Sequence, residues 1–145
     1  MIRSSNTFWK DKRNVRLNYT PLSNHIDDRV CYQTMTSDVV KFLDGKDIPS
    51  DSAIGIYTWQ GKGFLRIASA RWEVLSFTSR PETGDWMLVF AHKSMFTSPA
   101  VNILCRNQGG LCESDLQSLE TWIPSVEDAS FQQAARGLVN IKQDD

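Results

Sequence analysis

The sequence predicts a mostly β fold, an antiparallel barrel of about six to eight strands with a C-terminal helix. Three observations carry this. Apolar and polar residues alternate in serial runs between Val15 and Arg106. Clusters rich in Gly, Pro, Ser and Asn separate the runs at short intervals, and consecutive strands joined by short turns form a meander that closes into an up-and-down barrel. After Gly110 the apolar spacing changes from two to helical.

The elements follow in order. Val15, Leu17 and Tyr19 alternate with Arg16, Asn18 and Thr20 until Pro21, which cannot donate to a ladder. Val30 to Met35 is a second run. Val39 to Leu43 admits either a short helix capped by Ser37 or a strand built on Val39-Val40, and Asp44-Gly45 reads as its closing turn. Ile48 to Ser52 reads as a loop and Ile54 to Trp59 as a strand, followed by a tight turn over Gln60-Gly61-Lys62-Gly63. Phe64 to Phe77 is β-rich, with Ala68-Ser69-Ala70 as a bulge or bend. Ser79 to Asp85 is a hairpin loop between this run and Trp86 to Lys93, and Val101 to Arg106 completes the series. Ser114-Asp115-Leu116-Gln117 has the form of a capping box, which opens a helix from about Ser114 to Ile123, and Pro124 ends it. Ser125 and Asp128 open a second helical turn carrying Phe131, Ala134, Ala135 and Leu138.

Composition bounds the function. The 145 residues suit one domain, 1–145, with 41% hydrophobic and 23% charged residues, an ordinary globular balance. A net charge of −1 offers no basic stripe for a phosphate backbone, so nucleic acid is not expected as a partner. No run reaches the ~18 apolar residues of a membrane span. Met1 to Asn6 lacks the apolar core of a secretory signal, and Cys31, Cys105 and Cys112 are few and odd in number, which together point to a cytoplasmic, reducing setting. Cys105 and Cys112 also admit a bridge across one turn.

Chemistry-bearing motifs are sparse. The two histidines, His25 and His92, have no zinc-ligand spacing, no Gly-x-Ser-x-Gly elbow is present, and Gly61-Lys62-Gly63 lies between strands rather than before a helix. Neither a metal nor an organic cofactor is expected. The informative set is aromatic: Trp9, Tyr19, Tyr32, Tyr57, Trp59, Phe64, Trp72, Trp86, Phe90 and Trp122 are spread over successive strands. Every second position of a barrel strand faces inward, so such residues either pack a solid core or wall a cavity. Charged residues interrupt the same runs. Arg71 and Glu73 share a face, as do Trp86, Leu88, Phe90 and His92; an inward face places them at a pocket, an outward one in solvent.

Several stretches resemble a family of small fungal calycin-like proteins. They are Phe8 to Val15, Trp59 to Ser69, Arg71 to Leu75 and Phe96 to Ala100, within a likeness that runs from about Phe8 to Cys105. The resemblance implies a lipocalin-like barrel with a small-molecule cavity. It further implies, for some relatives, an intermolecular hetero-Diels–Alder joining of a tropolone-derived quinone methide to a sesquiterpene polyene. On that reading Tyr32, Tyr57, Arg71 and His92 are the candidate catalytic donors, and Trp72, Trp86 and Phe90 the substrate-binding wall. The alternative is a non-catalytic carrier of an apolar metabolite. The chain departs from the family pattern in lacking an opening Gly-x-Trp strand, which leaves a barrel edge exposed and predicts a homodimer.

Overall fold

The computed structural model describes residues 1–82, 84–107 and 109–144. Strands form where alternation is cleanest. After a two-residue β1 (Arg3–Ser4) and a short α1 (Thr7–Lys10) come β2 (Lys12–Pro21), β3 (Ile26–Thr34), β4 (Lys41–Pro49), β5 (Ile56–Gly61), β6 (Ser69–Arg80), β7 (Gly84–Ala91) and β8 (Ala100–Cys105). Then follow α2 (Glu113–Trp122), α3 (Ala129–Ala135) and a two-residue β9 (Val139–Asn140). Among the described residues they make one nine-stranded sheet, ordered β2-β3-β4-β5-β6-β7-β8-β1-β9, with every paired strand antiparallel.

The sheet curls until its ends meet. Lys142 bridges to Arg13 of β2, and the Asn14 N–H donates to the Lys142 carbonyl at 2.9 Å. The Arg13 guanidinium pairs with Asp38 and Asp144 across this seam. Asn14 takes a positive φ of 52° where the β2–β3 register shifts, a backbone state that Asn tolerates better than most residues. The β2 edge is thus covered along Arg13–Asn14 by the chain's own 142–144 segment.

Two apolar clusters hold the fold. Leu88 and Phe90 of β7 and Val101 and Ile103 of β8 point out of the barrel and pack under Leu119 of α2 and Phe131 of α3. Val15, Val30, Leu104, Met1 and Ile141 form a second cluster inside. The helical spacing after residue 110 is borne out, but α2 begins at Glu113 with Cys112 at its N-cap and no side-chain capping bond, so Ser114 does not act as the cap. In α3 the Asp128 carboxylate does cap, accepting from the Phe131 N–H at 2.6 Å.

Three local readings are corrected. Asp44-Gly45 does not turn the chain: β4 runs straight through it to Pro49, absorbing the expected Ile48–Ser52 loop in part. The Trp59 indole from β5 lies so close over Gly45 that a Cβ there would collide with the ring, so this glycine serves packing. Phe64 and Leu65 lie in a 3₁₀ turn (Gly63–Leu65), and β6 starts only at Ser69. The bulge comes later, between Val74 and Ser76. The three cysteines are free thiols.

Candidate binding cavity

The inward positions follow from parity and register. Leu17 and Tyr19 on β2 face the interior while Arg16, Asn18 and Thr20 face water. Antiparallel pairing carries the same side across the sheet: Asp28 is opposite Gly45, Asp47 opposite Trp59, Trp59 opposite Ala70, and Tyr57 opposite Trp72. Of these residues, Leu17, Tyr19, Asp28, Trp59, Ala70 and Trp72 line a chamber of about 570 Å³, which falls within the size range of small-molecule sites. Its sides are Leu17, Val30, Leu43, Trp59, Trp72, Val89 and Leu104, and its mouth is framed by Phe8, Leu65, Phe96 and Pro99. A second chamber of about 680 Å³ lies between Tyr57, Val74, Phe77, Met87 and Cys105. Met1, Leu17, Tyr19 and Leu104 border both.

Small residues make the hollow. Ala70 on β6 and Ala91 on β7 stand at inward positions of the first chamber, and Gly45 on β4 yields its place to the Trp59 ring. A large side chain at any of the three would fill space that is now open or already taken by an indole.

Polar groups converge on the interior from five strands, β2 to β6. The Trp72 indole N–H donates to Asp47 Oδ1 at 2.8 Å, while the Trp72 ring stacks on Tyr57 with centroids 4.6 Å apart. Asp47 is fully buried and Asp28 is 7% exposed, and one oxygen of each, Asp47 Oδ2 and Asp28 Oδ1, has no hydrogen-bond partner. Burial, together with the Asp47 charge, pushes the Asp28 carboxyl up to about 7; the neighbouring Trp59 indole partly opposes this. Burial likewise pushes Asp47 up to about 6 against the pull of the Trp72 N–H. Tyr19, buried beside both carboxyls, is held well above the usual phenol range, first by burial and then by their charge. The interior is thus an apolar chamber with the Asp28 carboxyl and the Tyr19 phenol in its wall and the Asp47 carboxyl buried against the Trp72 indole, all three biased toward their protonated forms. Among the described residues no group of three or more His, Cys, Asp or Glu side chains gathers in a way that would hold a metal ion.

With this geometry in view, similarity to solved structures is informative. Lobster apocrustacyanin A1 superposes with a TM-score of 0.68 at 12% identity, over 99% of this chain and 74% of that one. Apocrustacyanin C2 does so with a TM-score of 0.64 at 13% identity, over 99% and 73%. The fold is lipocalin-like. No family model matches the sequence, and no curated protein matches it either.

The lipocalin-like barrel sorts the sequence candidates into three groups. Trp72 stands in the chamber wall and Tyr57 beside it, at the second chamber. Tyr32 faces inward too, but at one end, where its ring meets Phe8 and Trp9 edge-on, with centroids 5.7 and 5.6 Å away. The remaining four lie elsewhere. Arg71 is exposed on the outer face of β6. Phe90 points outward against Phe131, centroids 5.6 Å apart, because α3 covers that face of β7. His92 continues the same outward face, with Nε2 3.5 Å from Glu73 Oε1 and its ring against Phe90. Trp86 edges the second chamber, but its indole N–H is held by Asp115 of α2 at 2.8 Å.

Sequence reasoning missed Asp28 and Asp47. Asp28 reads as a loop residue next to Asp27, and Asp47 falls just before a Pro-containing segment. The available signal was parity: Asp28, Val30 and Tyr32 alternate with Asp27, Arg29 and Cys31, which sets Asp28 on the apolar side of β3.

Proposed function

We propose that this protein binds a small, largely apolar organic molecule inside its barrel, with a polar group of that molecule directed at Tyr19 and Asp28. The observation that carries this reading is the chamber itself: about 570 Å³, walled by aliphatic and aromatic side chains, with the Asp28 carboxyl and the Tyr19 phenol among the polar groups in its wall. Aliphatic walls supply affinity by burial of apolar area, and the few polar groups fix orientation. Equilibrium titration with the neutral fluorophore N-phenyl-1-naphthylamine tests it. Saturable binding at one site per chain, in the micromolar range, is expected; absence of binding up to the probe's solubility overturns the reading.

A second reading is favoured by one observation, the pairing of two chambers across a shared Tyr19–Leu17 wall. Two chambers suit two reactants, and the family likeness supplies the reaction: a hetero-Diels–Alder joining of a tropolone quinone methide to a sesquiterpene polyene. Such a step needs orientation, worth up to about 7–11 kcal/mol in favourable systems, and a donor toward the oxygen where charge grows. The donors that border the cavities are the phenols of Tyr19 and Tyr57, in place of Arg71 and His92; the Trp59 and Trp72 indole N–H groups are already given to Asp28 and Asp47. Incubation with a quinone-methide precursor and humulene, followed by chiral chromatography, separates the readings. Adduct yield and stereochemistry equal to the protein-free control leave binding without catalysis.

A further inference from the structure

We propose that the protein docks peripherally on an anionic lipid surface through the two turns at the mouth of the first chamber, with Phe64, Ile67, Met95 and Phe96 in the apolar layer and Arg66 and Lys93 against the head groups. The docking rests on the outer surface alone; its use, passage of an apolar molecule between bilayer and chamber, rests on the small-molecule reading above.

The most exposed apolar side chains gather where the chamber opens. Successive strands alternate in direction, so the β5–β6 and β7–β8 connections, residues 62–68 and 92–99, lie at the same end of the barrel. Leu65 and Phe96 frame the mouth there. Beside them Phe64 is 91% exposed, Met95 88% and Ile67 76%, and none of these three lines either chamber. Both turns are held in shape by their own hydrogen bonds. The Leu65 N–H donates to the Lys62 carbonyl at 3.1 Å and the Ala68 N–H to the Leu65 carbonyl at 2.8 Å. The Ser94 N–H donates to the Thr97 carbonyl at 2.9 Å, and the Ser94 hydroxyl oxygen accepts from the Phe96 and Thr97 N–H groups. A fixed backbone thus presents large apolar groups to water, and such a concentration marks a surface that meets something apolar.

Charge selects what that is. Segments 62–68 and 92–99 contain Lys62, Arg66 and Lys93 and neither Asp nor Glu. Lys62 is engaged by Asp27, whereas Arg66 and Lys93 are exposed and have no ion-pair partner among the described residues. The acids of the other connections at this end, Asp11 and Asp38, are paired with Lys12 and Arg13. At the opposite end the connections from β2 to β3, β4 to β5 and β6 to β7 hold Asp51 and Glu82 and neither Lys nor Arg. A chain of net charge −1 therefore presents a cationic, apolar end and an acidic one. Apolar tips with unpaired cations beside them match the bilayer interface, where rings and aliphatic chains enter the acyl boundary and Lys and Arg stay among anionic head groups. Two separate projecting turns suit a deformable layer, in which each tip sinks independently and the opening between them faces the acyl region. The patch is assembled from segments remote in sequence, so no contiguous amphipathic stretch announces it.

Co-sedimentation with vesicles tests the proposal. Vesicles of phosphatidylcholine alone are compared with vesicles that also hold phosphatidylserine, at low and at high sodium chloride. The protein is expected to bind the mixed vesicles at least about fivefold more tightly than the neutral ones at low salt, with the difference shrinking at high salt. Phe64→Ser combined with Met95→Ser is expected to weaken binding by about tenfold or more. Arg66→Glu combined with Lys93→Glu is expected to bring binding of mixed vesicles down to the neutral level. Ile54→Ser, a fully exposed apolar residue beside the acidic end, is the control and is expected to leave vesicle binding within about twofold. Absence of binding to mixed vesicles, equal binding to neutral and mixed ones, binding retained in the Phe64 and Met95 pair, or an equal loss in Ile54→Ser each overturns the proposal. So does a dimer in lipid-free buffer that the same pair dissolves while vesicles stay unbound, which would make the mouth an interface between copies. The lipid and salt comparisons on the unmodified protein decide the matter even where a variant fails to fold. N-phenyl-1-naphthylamine affinity without vesicles separates the two readings: vesicle binding lost with probe binding intact counts against the docking alone, and failure of the probe to bind counts against the small-molecule reading.

Discussion

The two faces of β7 are built from equally apolar residues and do opposite work. Outward, Leu88 and Phe90 are packed solid beneath α2 and α3, with Phe90 only 4% exposed. Inward, Val89 and Ala91 border a hollow. The difference lies in what stands opposite each face. Across the outer face the chain lays two helices whose Leu119 and Phe131 pack directly against it; across the inner face stand small residues and strands set a barrel's width away. Hydrophobicity therefore tells which residues are buried, and the covering element tells whether the burial makes a core or a container.

The sharpest way to break this comparison is to empty the solid side. Phe131→Ala removes the ring that meets both Phe90 and Trp122, and is expected to cost about 3–5 kcal/mol in urea denaturation, with probe affinity of the folded fraction unchanged. A loss below about 1 kcal/mol would mean that the helices only lie over the sheet.

The hollow side should respond in two ways. Gly45→Ala sets a methyl against the Trp59 indole and is expected to destabilise by about 1–3 kcal/mol, read from the same denaturation curves. Asp28→Asn should do the reverse at alkaline pH. Folded Asp28 keeps its proton to about pH 7, whereas an unfolded carboxyl loses it in the ordinary carboxylate range. The folded state thus binds more protons between these limits, and stability falls as pH rises across them. Asparagine removes that loss, so thermal melts should show a gain of about 1–3 kcal/mol at pH 8 that vanishes near pH 4. A variant less stable at pH 8 would mean that Asp28 is better paired than its surroundings indicate.

The smallest effect is expected at His92. It lies outside the barrel on Phe90 and Glu73, so His92→Ala should change stability by less than about 1 kcal/mol and leave probe binding untouched.

These contrasts also mark how far the sequence carries. Alternation placed Leu17 and Tyr19 inside, and parity grouped Trp86, Leu88, Phe90 and His92 on one face as the structure has them. What parity lacks is a sign. An exterior face covered by helices reads as apolar as an interior, and only the tertiary placement of Phe131 over Phe90 tells them apart. The acids were harder to find for a different reason. Asp28 and Asp47 gain meaning from each other and from Trp59 and Trp72 two strands away, a long-range juxtaposition that no local spacing encodes. Gly45 was misread on similar grounds: glycine after aspartate signals a turn, but here it clears room for an indole from the next strand.

Two neighbouring residues give the most direct test of the central claim, that the inward face of the barrel is a container and the outward face of β7 a core. Ala91 lines the chamber and Phe90, one position earlier, does not. The measurement is N-phenyl-1-naphthylamine affinity, with thermal stability in parallel, for Ala91→Phe and Phe90→Leu. The account predicts that Ala91→Phe weakens binding by about tenfold or more while the fold persists, and that Phe90→Leu lowers the melting temperature and leaves affinity within about twofold. Weakened binding in Phe90→Leu together with unchanged binding in Ala91→Phe would contradict it.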